Sequence, residues 1–141
     1  MVKRFLLYGL VGICAEIFWT GMSSLLQGDI RLRGFTYIWM FPIYGLIVFL
    51  EPVQHKIKKW PLVLRGCVYT IIIFVAEYIS GSLLRSILGV CPWNYTGAFT
   101  INGLIRLDFA PVWFCFGIIL EKLHSKMDKL SLLIRTQQGG I

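Results

Sequence analysis

Two glutamates lie within long apolar stretches of this chain, where a charged side chain is costly. Glu16 stands in the segment GICAEIFWTG, and the residues around it are apolar or small from Phe5 to Leu26. Glu77 has a similar setting in the segment AEYISG. A carboxylate at the centre of a bilayer costs roughly 2.5–3.5 kcal/mol on insertion scales, so it should face a protein interior or a wet cavity. Two such carboxylates could bind a cation or relay a proton, or each could hydrogen-bond a neighbouring helix and hold a bundle together. We favour binding, because ionisable residues inside membranes are usually functional.

Small and polar residues share a helical face with each glutamate. They recur every three or four residues, which places them on one side of an α-helix. The members are Gly9, Gly12, Thr20, Ser23 and Gln27 around Glu16, and Gly66, Thr70, Ser80 and Gly81 around Glu77. Small residues let helix backbones approach, and hydroxyl groups can hydrogen-bond across the contact. We therefore predict a binding or coupling site in which Thr20, Tyr78 and Ser80 assist the two glutamates.

A second group of polar and aromatic residues lies in the loop after the Glu77 stretch and at the start of the last apolar stretch. Its members are Arg85, Trp93, Asn94, Tyr95, Asn102, Arg106 and Asp108. Tryptophan and tyrosine prefer the headgroup level of a membrane, so we favour an aromatic belt at the interface. The alternative is a plug over a cavity, made rigid by Pro92. The charged members and Tyr95 could also serve an enzyme that acts on lipid, but no recognised motif arranges them.

Histidine follows glutamate closely at two places, which is a spacing that metal sites use. His55 comes after Glu51 and His124 after Glu121, so each pair can share one face of a helix. Pro52 interrupts the first of these turns, and such neighbours are common on exposed helices. The four cysteines show neither C-x-x-C spacing nor a Cys/His cluster. We therefore predict no metal site, no cofactor and no disulfide framework.

The composition predicts an all-α integral membrane protein. Of the 141 residues 57% are hydrophobic and 15% are charged, whereas about 25% are charged in soluble domains. About 20 apolar residues suffice for a helix to cross the hydrocarbon layer. We predict a four-transmembrane-helix bundle with helices at about 5–26, 35–53, 61–84 and 104–123. The first should remain in the mature protein, because it is too long for a signal peptide, contains Glu16 and lacks a small-x-small cleavage pattern.

The basic residues indicate how these helices are oriented. Of the 14 Lys and Arg residues, ten lie on one side of the predicted bundle or in the tail, and four lie on the other. The larger group predicts that both termini are cytoplasmic. The net charge of +7 then reflects topology and attraction to anionic lipid of the inner leaflet, and gives no reason to expect nucleic acid. We predict a transmembrane domain at 1–124 and an amphipathic cytoplasmic tail with a frayed end at 125–141.

The two halves of the sequence are weakly similar. Each half begins with an apolar stretch that holds a central glutamate followed by Thr-Gly or Ser-Gly, and each ends with a glutamate followed by a histidine. This order suggests two repeated helical hairpins related by an axis along the membrane normal, as in parallel-repeat transporters. Chance similarity between apolar sequences explains the pattern equally well.

Several short motifs resemble those of a known family. They are Arg33-Gly34-Phe35, Pro42-Ile43-Tyr44-Gly45, Glu77-Tyr78-Ile79-Ser80-Gly81, Pro92-Trp93-Asn94-Tyr95 and Asn102-Gly103-Leu104-Ile105-Arg106-Leu107. In this order they look like the bacterial ABC-transporter type IV, or CmpB-like, family, and the part from Pro61 to Leu123 is similar to the animal transmembrane protein 229 proteins. The resemblance covers roughly residues 8 to 123 and implies a small polytopic membrane protein. The family usually has aspartate where this chain has Asn94, so a role that needs that charge is not implied here.

The sequence supports three functional hypotheses. We favour a permease-like protein that moves or binds a small cation or protonated solute, as a homodimer or with a partner membrane subunit. The first alternative is a scaffold or accessory subunit without catalysis, and the second is an intramembrane enzyme that acts on lipid. The chain has no G-x-x-x-x-G-K-[ST] nucleotide-binding loop, so an ATPase would be a separate subunit.

Overall fold

A computed structural model describes residues 1–138 of the chain, with side chains described through residue 130. The first half contains α1 (Val2–Leu26), α2 (Met40–Gly45), a 3₁₀ helix (Leu46–Leu50) and α3 (Glu51–Ile57). The second half contains α4 (Leu62–Leu88), the short strands β1 (Thr100–Ile101) and β2 (Ile105–Arg106), a 3₁₀ helix (Leu107–Phe109) and α5 (Ala110–Gln138). The protein is therefore mostly helical, with one two-stranded hairpin among the described residues.

Two helices, α1 and α4, are long and apolar enough to cross a membrane. They contain 25 and 27 residues, which at 1.5 Å per residue exceeds the roughly 30 Å hydrocarbon layer. Only 22% and 17% of their most apolar windows are buried within the protein, unlike the core helix of a soluble domain. Apolar surface of this extent is stabilised by lipid or by another protein. The prediction of apolar spanning helices is confirmed for these two, and the four-helix bundle and its orientation stay predictions.

The second predicted helix starts later than the sequence suggests. Residues 35–39 are not helical, and the chain before α2 runs back beside the second half of α1. Thr20 Oγ1 accepts the Phe35 N–H at 2.9 Å and lies 3.0 Å from the Phe35 carbonyl oxygen, which replaces hydrogen bonds that a helix would have made. Gly34 fits here because a Cβ would collide with the Ile17 carbonyl. Close contact with α1 therefore overrides the apolar pattern.

The same predicted helix also ends later, at Ile57 instead of residue 53. Pro52 is the second residue of α3, in the first turn, where the missing backbone N–H removes no intrahelical hydrogen bond. The proline is therefore accommodated within helical structure, although a 3₁₀ segment precedes it.

The fourth predicted helix begins at Ala110 instead of residue 104, because a β-hairpin occupies the residues before it. Asn102 and Gly103 have φ angles of +53° and +70° and form the turn between β1 and β2. Asn-Gly is the favoured pair for a turn with two positive φ angles. Downstream, α5 continues without a break past residue 124. Residues 139–141 and the side chains of 131–138, which belong to the predicted amphipathic and frayed tail, lie outside the described part.

The chain divides into two compact units, Met1–Pro52 and Val53–Ile141. In each unit a long helix packs closely on a later helix through glycine. Gly12 of α1 meets the Tyr44 side chain of α2, so a Cβ at Gly12 would overlap that ring. In the second unit Gly66 of α4 is packed in the same way against Phe114 of α5. The small-residue faces of both long helices therefore serve backbone approach.

Candidate carboxylate sites in the two apolar helices

Glu16 lies on the face of α1 that meets the rest of the first unit, and its carboxylate is held by hydroxyl groups. The Thr36 O–H donates to Glu16 Oε2 at 2.7 Å, and the Tyr44 O–H donates to the same oxygen at 3.1 Å. Thr36 belongs to the returning segment before α2, and Tyr44 belongs to α2 itself. Among the residues that the structure describes, no lysine or arginine forms an ion pair with Glu16.

Glu77 lies in the middle of α4 and has fewer polar partners. The Tyr95 hydroxyl is 3.4 Å from Glu77 Oε1, at the long end of a hydrogen bond. The Trp113 indole N–H of α5 is the other polar neighbour of this carboxylate. Its geometry falls short of a hydrogen bond, and both Trp113 Nε1 and Glu77 Oε2 are buried without a hydrogen-bond partner in the described part of the chain. Within that part, no lysine or arginine forms an ion pair with Glu77.

The predicted helper residues of these glutamates bond elsewhere. The Ser80 hydroxyl donates to the Ala76 carbonyl at 2.6 Å, within α4. The Thr20 hydroxyl lies 2.9 Å from the Glu16 backbone oxygen, not its carboxylate, and bonds the returning segment as described above. The Tyr78 hydroxyl accepts the Asn102 side-chain amide at 3.0 Å. The structure therefore brings Thr36 and Tyr44, which sequence reasoning did not single out, to Glu16, and brings Tyr95 to Glu77.

The loop after α4 folds back onto that helix and carries Tyr95 to Glu77. The Trp93 indole N–H donates to the Leu104 carbonyl at 3.0 Å, and the Tyr95 backbone N–H donates to the Gly103 carbonyl at 2.8 Å. Asn94 lies against Gly103, where a side chain would collide with its amide oxygen. These bonds fix the loop to the β-hairpin, so both aromatic residues make specific contacts within the protein.

The charged residues of the loop region pair locally. Arg85 Nη1 donates to the Asn102 carbonyl at 3.0 Å, which ties the end of α4 to the hairpin turn. Arg106 and Asp108 form an exposed ion pair through Nη2 and Oδ2 at 2.8 Å, with the Nε–H donating to Oδ1 at 2.8 Å. The Arg106 hydrogen bond holds the pKa of the Asp108 carboxyl below its ordinary value. Arg106 and Asp108 therefore bind each other.

Glu51 is a second kind of acid in the first unit, because it has an arginine partner that sequence reasoning missed. Glu51 accepts the Arg4 guanidinium through Oε2 at 2.8 Å and the Tyr8 hydroxyl through Oε1 at 2.8 Å. Tyr8 is 1% exposed, so this contact is part of the packed interface between α1 and the later helical segment. The charge of Glu51 is thus matched by a fixed cation.

The second unit contains the same set of contacts. Glu121 of α5 forms an ion pair with Arg65 at 3.1 Å and accepts the Tyr69 hydroxyl at 2.7 Å. Tyr69 is fully buried. Both helices that hold these residues read Arg-x₃-Tyr-x₇-Glu, and the last residue of the pattern is Glu16 in α1 and Glu77 in α4. That shared pattern could have singled out the arginine and the tyrosine of each helix, but not the acids that they contact.

Histidines and an aspartate converge within the second unit. His55 of α3 and His124 of α5 pack edge to face, with ring centroids 4.9 Å apart. Asp128 Oδ2 lies 3.1 Å from His124 Nε2 and 3.6 Å from His55 Nε2. These three side chains line a cavity of about 200 Å³ together with Gln54. They are the described residues best placed to hold a metal ion, and they differ from the Glu-His pairs considered in the sequence.

These features define a mostly helical protein with two helices able to cross a membrane, each with a central carboxylate that lacks a fixed cationic partner among the described residues. The family described as "Putative ABC-transporter type IV" matches residues 4–138, and the chain belongs to this family. The resemblance noted in the sequence is thus confirmed. No solved structure matches the chain. The family name points to a transporter-related role and specifies no substrate or mechanism.

Proposed function

We propose that this protein is permease-like and binds or moves a small cation or a protonated solute, with Glu16 and Glu77 as the coupling groups. One contrast carries the proposal. The acids at positions 51 and 121 each have an arginine and a tyrosine, whereas the acids at 16 and 77 have only hydroxyl or indole neighbours in the described part of the chain. Two kinds of acid are thus present in the described part of the chain. One kind is neutralised by an arginine, and the other has no cationic side chain beside it within that part.

Membrane electrostatics explains why this contrast points to transport. A carboxylate at bilayer depth without a fixed positive partner must carry a proton or be matched by a mobile cation. Hydroxyl groups stabilise either state, because a hydroxyl can donate to a carboxylate or accept from a carboxylic acid. Glu16 and Glu77 are therefore suited to exchange a proton or cation, while the arginine-paired acids hold helices together.

The proposed arrangement has four spans, two repeated hairpins, both termini in the cytoplasm and contact with anionic inner-leaflet lipid. The matching Arg-Tyr-Glu contacts of the two units support an internal duplication. Four helices alone can hardly enclose a transport pathway, so we propose that a homodimer or a partner membrane subunit completes the enclosure. An ATPase, where one takes part, is a separate chain, because this sequence lacks a nucleotide-binding loop.

The test compares neutral substitutions of the two kinds of acid in the full chain. Tryptophan fluorescence and thermal stability are titrated with pH and a panel of cations, and flux into proteoliposomes is measured for any cation that responds. Glu16→Gln and Glu77→Gln, singly and together, should abolish the response and the flux and leave the fold intact. Asp108→Asn, at an exposed ion pair, is the matched control and should keep the cation response and the flux of wild type.

The opposite results would reject the proposal. A folded Glu16→Gln, Glu77→Gln double variant with wild-type flux removes any coupling role. A wild-type protein without response to pH or any cation favours the alternative of a scaffold or accessory subunit. The specific observation behind that alternative is the close glycine packing in both units, which serves helix association. Loss of function in Asp108→Asn alone would instead favour the lipid-acting enzyme.

A further inference from the structure

The cluster of His55, His124 and Asp128 plays no part in the proposed transport by Glu16 and Glu77. His124 is 3% exposed on α5, and Asp128 lies one helical turn further along the same helix. His55 comes from α3, and its side chain is 61% exposed. One ligand atom from each of the three residues lies within 4.8 Å of the others. A buried imidazole, an exposed imidazole and a carboxylate therefore converge on one point.

Gln54 determines which nitrogen of His124 faces that point. The distance from His124 Nδ1 to Gln54 Oε1 is 2.8 Å, and a carbonyl oxygen can only accept, so Nδ1 carries the proton. Nε2 then faces Asp128 Oδ2 at 3.1 Å, and this is the nitrogen that a metal ion would use. Metal-binding histidines are commonly oriented in this way, with the second ring nitrogen donating to an oxygen of the protein.

We propose that His55 Nε2, His124 Nε2 and Asp128 Oδ2 bind a divalent transition-metal ion such as Zn²⁺, with a fourth position open to water or a ligand. Tetrahedral zinc with bonds of about 2.0–2.1 Å places neighbouring ligand atoms roughly 3.3–3.4 Å apart. The two distances to Asp128 Oδ2, 3.1 and 3.6 Å, lie on either side of that value. The three ligand atoms lie within 4.8 Å of one another, so the set must tighten around the ion. The His55 side chain contacts the His124 ring but is 61% exposed, which gives it room to move.

The charges around the cavity set the class of ligand. Lys58 and Lys129 also line it and would favour an anion, whereas Glu121, which lines it as well, is paired with Arg65. The lysine amines are not among the three groups that converge. Two imidazole nitrogens and a carboxylate oxygen are ligands that zinc and related ions prefer. A substitution of Lys58 therefore tests the charge of the ligand, because neutralising this lysine should strengthen binding of a cation and weaken binding of an anion.

The experiment uses the full chain purified in detergent without a polyhistidine tag and treated with a chelator. Zn²⁺ binding is measured by calorimetry, and Co²⁺ is added as a probe whose visible spectrum reports tetrahedral coordination. We expect one ion per chain and a rise in thermal stability. His55→Gln leaves the His124–Asp128 contact in place and should weaken binding by more than about tenfold, since even outer partners of metal ligands contribute 10–100-fold. Lys58→Gln should tighten binding.

One further variant keeps the result unambiguous. Asp128→Asn should also weaken binding by more than about tenfold, which guards against a folding defect peculiar to one variant. The proposal is overturned by a folded wild type that binds no Zn²⁺ at sub-millimolar concentration, or by unchanged affinity in both His55→Gln and Asp128→Asn. It is equally overturned if Lys58→Gln weakens Zn²⁺ binding, because removal of a nearby positive charge should strengthen the binding of a cation. None of these outcomes depends on transport, so this proposal and the proposed function can fail separately.

Discussion

The ion pair between Arg65 and Glu121 gives the sharpest test of how the second unit is stabilised. The two side chains are 17% and 15% exposed, and the carboxylate also accepts the Tyr69 hydroxyl. Arg65→Met keeps most of the aliphatic stem but leaves the Glu121 carboxylate without its cation. Breaking a buried ion pair in this way costs 3–5 kcal/mol. Residual exposure and the remaining tyrosine hydrogen bond reduce this, so we expect a loss of about 2–3 kcal/mol.

A second substitution should recover part of that loss. Glu121→Gln, added to Arg65→Met, removes the uncompensated charge and keeps an oxygen that accepts the Tyr69 O–H. Replacing both partners of a buried pair is often nearly neutral, so the double variant should be more stable than Arg65→Met alone by about 1–2 kcal/mol. The assay is the free energy of unfolding of the full chain in mixed micelles, followed by tryptophan fluorescence during denaturant titration.

The test depends on whether the double variant is more or less stable than Arg65→Met alone. A double variant less stable than Arg65→Met would refute the reasoning, because Glu121 would then stabilise the fold without its arginine. Glu51→Gln with Arg4→Met provides the matched comparison in the first unit, where the same three residue types meet at similar distances. The same recovery is expected there.

Two further predictions concern the glycine packing of α4 and the dependence of stability on acidic pH. Gly66→Ala should destabilise the protein by about 1–3 kcal/mol, because the added Cβ overlaps the Phe114 ring. Cys67→Ala at the adjacent exposed position should change the unfolding free energy by less than about 0.5 kcal/mol, and equal losses would contradict the packing argument. Since Arg106 lowers the pKa of Asp108, the stability from their pair is full above the ordinary aspartate pKa and is lost as the pH falls through the lowered value. Asp108→Asn should remove this part of the acid titration of stability, and an unchanged titration would exclude it.

The sequence predicted the helices that are marked by a long uninterrupted pattern of apolar and small residues. The apolar stretches around Glu16 and Glu77 have the length and composition of spanning helices, and α1 and α4 form there. α1 begins at Val2 instead of residue 5, and α4 ends at Leu88 instead of residue 84. Small residues at helical spacing predicted the faces that contact other helices. Both properties depend on one helix at a time, so they can be derived without knowledge of its neighbours.

Features that depend on tertiary contact were not predicted. The returning segment before α2 is apolar enough to suggest a helix, and only the partners of Thr20 and Gly34 explain its irregular backbone. The hairpin before α5 did have a local signal, Asn102-Gly103, which the apolar pattern after it concealed. The acid partners at Glu51 and the convergence of His55 with Asp128 join residues distant in sequence. No spacing rule along a single helix can reveal such pairs.

Each unit contains both the arginine and the tyrosine that contact its own paired acid, and this has a consequence for biosynthesis. The Arg4, Tyr8 and Glu51 contacts are complete within Met1–Pro52, so they need no residue from the later part of the chain. A ribosome adds roughly 5–20 residues per second, so the N-terminal unit is exposed for several seconds before α5 is made. During that interval the Glu51 carboxylate can already be neutralised by Arg4. The nascent chain therefore need not hold an uncompensated acid there while it waits for its second half.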